Sequence, residues 1–213
     1  MREALIVWGG WSGHEPEEGA HVVAAMLEDN GFKVYIENTT EAFADPSIAD
    51  MSLVAPIVTM AKIEKEEVEN LTAAVEGGVG LAGYHGGMCD AFRDSVDDHF
   101  MCGGQWVAHP GGGVDYRVDV AKSDDPIMAG ISSFAYRSEQ YYMHVDPANE
   151  VLATTTFSGE RAPWVDGVVM PVVWKRRHGK GCVFYNSLGH VTSEFAAPET
   201  WTILRRGILW AAR

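Results

Sequence analysis

Residues 79–90, VGLAGYHGGMCD, run an apolar stretch into a histidine, His85, set among Gly83, Gly86 and Gly87. The spacing is G-x-H-x-G. A strand that turns sharply under G-x-S-x-G, or its cysteine counterpart, presents a nucleophile above a sheet. Here an imidazole stands in that place, where it can transfer protons or ligate a metal. The alternative is a structural histidine packed into a tight turn, with the glycines serving only the backbone.

Other candidates lie at what read as strand ends. GGWSGHEPEEG carries Trp11, Ser12 and His14 after the first apolar strand, although His14 could simply cap the helix that follows. SLGH delivers His190 after residues 182–186, with Glu194 close behind. In SEQYYMHVD, extended alternation puts Glu139 and Tyr141 on one face and His144 on the other. Glu139 there can orient a histidine or titrate itself. CGGQWVAHPGGG, residues 102–113, holds Trp106 and His109 and reads either as a lid over a pocket or as a connector with a buried tryptophan. Imidazoles with a carboxylate suit zinc or iron(II), but no H-x-H or H-E-x-x-H spacing is present. His21, His99 and His178 carry no functional argument, and Cys89 is too far from His85 to replace a nucleophile.

These residues need a scaffold. Apolar strands over residues 4–8, 33–37, 51–59 and 79–84 alternate with helices over 16–30 and 64–76. That pattern predicts an α/β fold with a mainly parallel sheet covered by helices on both faces. Alternating segments at 114–120, 151–156, 171–177 and 182–186, with GERAPWVDG and RRHGKG as turns, predict that part of this half is antiparallel hairpin at one edge. A helix over 199–212 closes the chain. With no repeat or linker, residues 1–213 read as a single domain. In such sheets ligands bind at the carboxyl ends of the strands, near the switch in strand order.

Composition narrows the partners. The chain has 213 residues, 46% apolar and 22% charged, with 30 acids against 16 bases and a formal charge of −14. An acidic protein of this kind is a poor ligand for nucleic acid or an anionic membrane. No apolar run approaches the roughly 20 residues of a membrane span. Three cysteines without a C-x-x-C pair fit reduced thiols, and the expected location is cytoplasmic. Small neutral or cationic ligands remain open, and so does self-association.

Taken in order, GGWSGHE, GYHGG, WVAHP, SEQYY, VVWKRRHGKGCVFY and LGH resemble the ThuA-like (trehalose utilisation) proteins over residues 3–212. The resemblance implies a flavodoxin-like fold similar to class I glutamine amidotransferases, with His85 in place of their cysteine and His190 near the place of their histidine. Without a thiol no glutamyl thioester can form, so glutaminase chemistry is not expected. The resemblance further implies a role in catabolism of trehalose-type disaccharides or their 3-keto derivatives. No G-x-G-x-x-G fingerprint supports NAD.

Three readings follow. In the first, His85 and His190 transfer protons, Glu139 orients or titrates, and Trp11, His14, Trp106, His109, Tyr141 and His144 bind the sugar. In the second, His14, His85 and His190, with Glu139, hold zinc and activate water. In the third, the chain is a non-catalytic module that binds a sugar or a protein.

Overall fold

Along β1 (Arg2–Gly10) successive side chains turn to opposite faces, and both faces are buried. Ala4 and Ile6 join one apolar cluster, and Leu5 and Val7 join another. β1 is therefore a central strand with helices on both sides. In the computed structural model, which describes residues 1–213, α1 (Pro16–Asp29) and α5 (Pro198–Ala211) cover the first face through Val23, Leu27, Ile203 and Leu204. On the second face, α2 (Lys65–Gly77), α3 (Gly86–Cys89) and α4 (Val96–Cys102) contribute Leu71, Val75, Met88 and Met101.

β2 (Phe32–Glu37), β3 (Leu53–Thr59), β4 (Gly80–Tyr84) and β11 (Gly181–Asn186) lie parallel with β1. β10 (Val169–His178), β9 (Glu150–Thr156), β6 (Gly113–Val120) and β7 (Phe134–Glu139) extend this sheet with antiparallel pairings. The strand order is β2-β1-β3-β4-β11-β10-β9-β6-β7. This is a flavodoxin-like parallel core with an antiparallel extension, as the sequence predicts. GERAPWVDG links β9 to β10, and the Gly179-Lys180 turn links β10 to β11.

Two short strands, β5 (Gly104–Ala108) and β8 (Tyr142–Val145), form a separate antiparallel pair. The start of the glycine-rich 102–113 segment is thus tied down as a strand, and Trp106 is half-buried. α1 goes to one face and α2 to the other, so the connections diverge between β1 and β3. The carboxyl ends of β1, β3 and β4 open a crevice there.

Candidate functional site

Three chain turns meet in that crevice. The turn after β1 passes against Thr59 so closely that a Cβ on Gly10 would lie 1.9 Å from the Thr59 carbonyl oxygen. His14 follows on a short 3-10 turn, with Nδ1 2.9 Å from Thr59 Oγ1. The next residue, Glu15, has φ 49° and accepts hydrogen bonds from the Thr192 amide and hydroxyl at 2.9 and 2.6 Å. This ties the His14 turn to the loop that carries His190.

After β4, His85 takes φ 49° and ψ −136°, a conformation costly for a residue with a Cβ. Surrounding bonds hold it: its amide donates to the Asn186 carbonyl at 2.7 Å, and Tyr185 donates to its carbonyl at 2.8 Å. Gly86 gives clearance to the neighbouring turn, because a Cβ there would sit 2.6 Å from His14 Cε1. After β11, Glu194 Oε2 receives the His190 amide at 2.9 Å, the Tyr136 hydroxyl at 2.6 Å and the Ser138 hydroxyl at 3.0 Å.

The result is one cluster. Donor atoms of His14, His85, His190 and Glu139 all lie within 4.8 Å of one another. His85 Nε2 is 3.3 Å from Glu139 Oε2, and His190 Nδ1 is 3.4 Å from Glu139 Oε1. His85 Nδ1 lies 2.9 Å from the Ser187 carbonyl, which can only accept, so Nδ1 carries the proton of that bond. Its Nε2 is buried and finds no hydrogen-bond donor or acceptor of good geometry. In the neutral ring Nε2 holds a lone pair aimed at a carboxylate. That contact is attractive only with positive charge between the two, either a second ring proton or a metal ion.

The surroundings resist protonation. Burial, then the neighbouring His85 and His190 rings, lower the His14 pKa to about 3. Burial, then His85, also lower that of His190. For Glu139 burial acts upward, but the neighbouring His85 ring, then His190 and His109, outweigh it and favour the carboxylate. Near neutral pH the cluster therefore offers two neutral imidazoles, His14 and His190, and an anion. These are the forms in which such side chains bind metals. A tetrahedral zinc ion with bonds of about 2.1 Å spaces its ligands roughly 3.4 Å apart. The His85 and His190 contacts to Glu139, at 3.3 and 3.4 Å, fall near that spacing, one to each carboxylate oxygen, while the widest pair of the cluster, at up to 4.8 Å, would have to close by about 1.4 Å around such an ion.

The trehalose-utilisation (ThuA) family profile matches residues 3–211. The chain belongs to the ThuA family. Its fold is shared by ThuA-like proteins from Parabacteroides merdae (18% identity, TM-score 0.80, 99% of this chain and 89% of that one) and Bacteroides uniformis (18%, 0.76, 98% and 89%). It also resembles a portion of a Bacillus circulans β-galactosidase, at 13% identity and a TM-score of 0.61, covering 99% of this chain and 30% of that one. No curated protein matches the sequence.

Within this ThuA protein, most residues singled out from the sequence converge. Tyr141 lies against His85, with ring centroids 4.2 Å apart, and Trp11 packs edge-on against His14 at 4.7 Å. His109 Nε2 is 3.7 Å from Glu139 Oε1, and Trp106 stands behind His109 and Tyr141. His144 does not join them: it is exposed on β8 and borders a separate hollow with His99 and Phe100. Alternation from Glu139 and Tyr141 had already put it on the other face. Thr59, Glu15 and the Ser187 carbonyl, which orient the histidines, were not singled out: Thr59 carries no motif, and Glu15 and Ser187 lie inside GGWSGHE and SLGH without a chemical signature of their own. Only their places at strand ends hint at them.

Proposed function

We propose that this protein is a metal-dependent enzyme of carbohydrate catabolism, acting on a trehalose-type disaccharide or its 3-keto derivative. The carrying observation is the convergence of His14, His85, His190 and Glu139, whose ligand atoms lie no more than 4.8 Å apart, with His85 Nε2 3.3 Å from Glu139 Oε2. His14, His85, His190 and Glu139 would hold one divalent ion of the zinc type. Such an ion polarises a carbonyl or lowers the pKa of a bound water. The family supplies the link to trehalose utilisation.

The remaining groups divide the work. His109, at the edge of the cluster and 36% exposed at its side chain, is placed to move a proton to or from the substrate beside Glu139. Trp11, 46% exposed, offers a flat apolar face at the mouth of the site for the C–H face of a sugar ring. Tyr141, buried against His85, keeps its phenol protonated, because burial and then the Glu139 charge raise its pKa well above the usual value. It can donate a hydrogen bond but cannot serve as a base.

Metal analysis of protein purified without added metal tests the reading. About one equivalent of divalent metal is expected, with none retained by His85→Ala. Turnover of 3-ketotrehalose should stop on chelation and return with zinc. Sub-stoichiometric metal that His85→Ala leaves unchanged would remove the metal and return the chemistry to proton transfer by His85, His190 and Glu139.

A further inference from the structure

A cavity of about 260 Å³ is walled in part by residues that directly follow members of the histidine site in the chain. Its walls include Pro110, which follows His109, and Gln140, which follows Glu139. The ladder between β6 and β7 fixes the relation more closely. Gly113 pairs with Glu139 and Asp115 pairs with Arg137, so these four positions share one face of the hairpin. Arg137 stands two residues from Glu139, roughly 7 Å along the strand. Gly113 has no side chain to wall off the space between them, and even an added Cβ there would meet nothing within 4 Å. The cavity and the metal-binding carboxylate thus lie side by side on one surface.

The lining defines the kind of molecule that fits. Arg137 is paired with Asp115 at 2.7 Å and Arg161 with Glu160 at 3.3 Å, so the charged groups cancel. Gln140 is buried; its Nε2 donates to Thr155 Oγ1 at 2.8 Å, while no protein group donates to its Oε1. Fourteen residues line the space and only four are hydrophobic, which disfavours an apolar ligand. A net-neutral wall in a molecule of charge −14 disfavours an anion. Paired donors and acceptors of both kinds suit a neutral polyhydroxylated molecule. The volume, just below the roughly 300 Å³ at which ligand pockets begin, suits one sugar ring.

We infer that this cavity binds the second sugar unit of a disaccharide whose first unit occupies the histidine cluster, with His109 at the junction between the two. The inference rests on the carbohydrate reading above and adds where specificity for two sugar units resides. Ser158 is an exposed residue of the cavity wall and Arg161 one of its charged groups, so both can be changed without disturbing the core.

Calorimetric titration of the zinc-supplemented protein with trehalose and with glucose tests it, with thermal melts confirming that the variants fold. Trehalose should bind at least tenfold more tightly than glucose. Ser158→Trp, which fills the cavity, and Arg161→Ala should each reduce that advantage to about twofold while leaving glucose affinity unchanged. Equal affinities in the unmodified protein, no binding of either sugar, or a full trehalose advantage in Ser158→Trp would overturn the assignment. A preserved disaccharide advantage in protein that takes up no zinc would leave the cavity assigned and defeat the metal reading instead.

Discussion

His85 gathers several costs at one position: an unfavourable φ, burial of an ionisable ring, and a nitrogen without a good partner. Each is expensive alone, and together they make sense as support for a ligand atom aimed at a fixed point. The same holds one layer out. Glu194 Oε2 accepts three hydrogen bonds, from His190, Tyr136 and Ser138, and thereby fixes the loop that presents the His190 ring. Partners that orient ligands typically change metal affinity 10- to 100-fold when lost. Glu194→Gln should weaken zinc binding by roughly tenfold in competition with a chromophoric chelator, while far-UV circular dichroism stays unchanged. Unaltered affinity would show that His190 needs no such anchor. At this scale the histidines were legible from the sequence because each sits at a strand end beside glycine. Their joint geometry was not, since His85 lies 71 positions after His14, and no short spacing can report a cluster assembled from separate turns.

Elements bring those turns together, and they do so with little slack. α3 begins directly after His85, and Gly86 at its start lies against the His14 ring. Gly86→Ala keeps an ordinary helical backbone but places a methyl 2.6 Å from His14 Cε1, so the ring must move. We expect this variant to fold, lose at least tenfold in zinc affinity and retain the packing of β4 on β11. Wild-type zinc affinity in Gly86→Ala would mean that His14 is not a ligand. Period and punctuation predicted α1, α2, α5 and most strands of the main sheet to within a few residues. α3, α4, β5, β7 and β8 were harder to read. α3 has four residues, too short for a helical period to register, and β5 and β8 are held mainly by each other and by the core beneath them.

For the whole molecule, the cluster sets a pH dependence. In chelator-treated protein, His14 has a folded pKa of about 3 against an ordinary 6.5, so below pH 6.5 the unfolded chain binds more protons than the folded one. Stability must then fall as pH drops from 6.5 towards 3. The lowered pKa of His190 acts in the same direction, and the contribution of Glu139 is lost as pH falls through and below its ordinary 4.5. Buried Asp98 opposes them: its pKa is raised from 3.8 to about 7, so its folded form gains protons first on acidification. Comparison with His14→Asn isolates the histidine. In urea titrations between pH 6.5 and 4 the variant should lose less stability than the wild type, and equal losses would contradict the assigned burial of His14. The flavodoxin-like core and its antiparallel extension were largely legible at this scale because apolar runs and alternating runs mostly occupy different halves of the sequence; β11 is the exception, an alternating segment of the later half that joins the parallel core beside β4.

The central claim is that four residues from four strand ends hold one divalent ion. Anomalous diffraction at the zinc absorption edge, on crystals of zinc-supplemented protein, tests it most directly. The account predicts a single strong peak bounded by His14, His85, His190 and Glu139, absent from crystals of His85→Ala. A cluster without a peak, or a peak that survives His85→Ala, would contradict it.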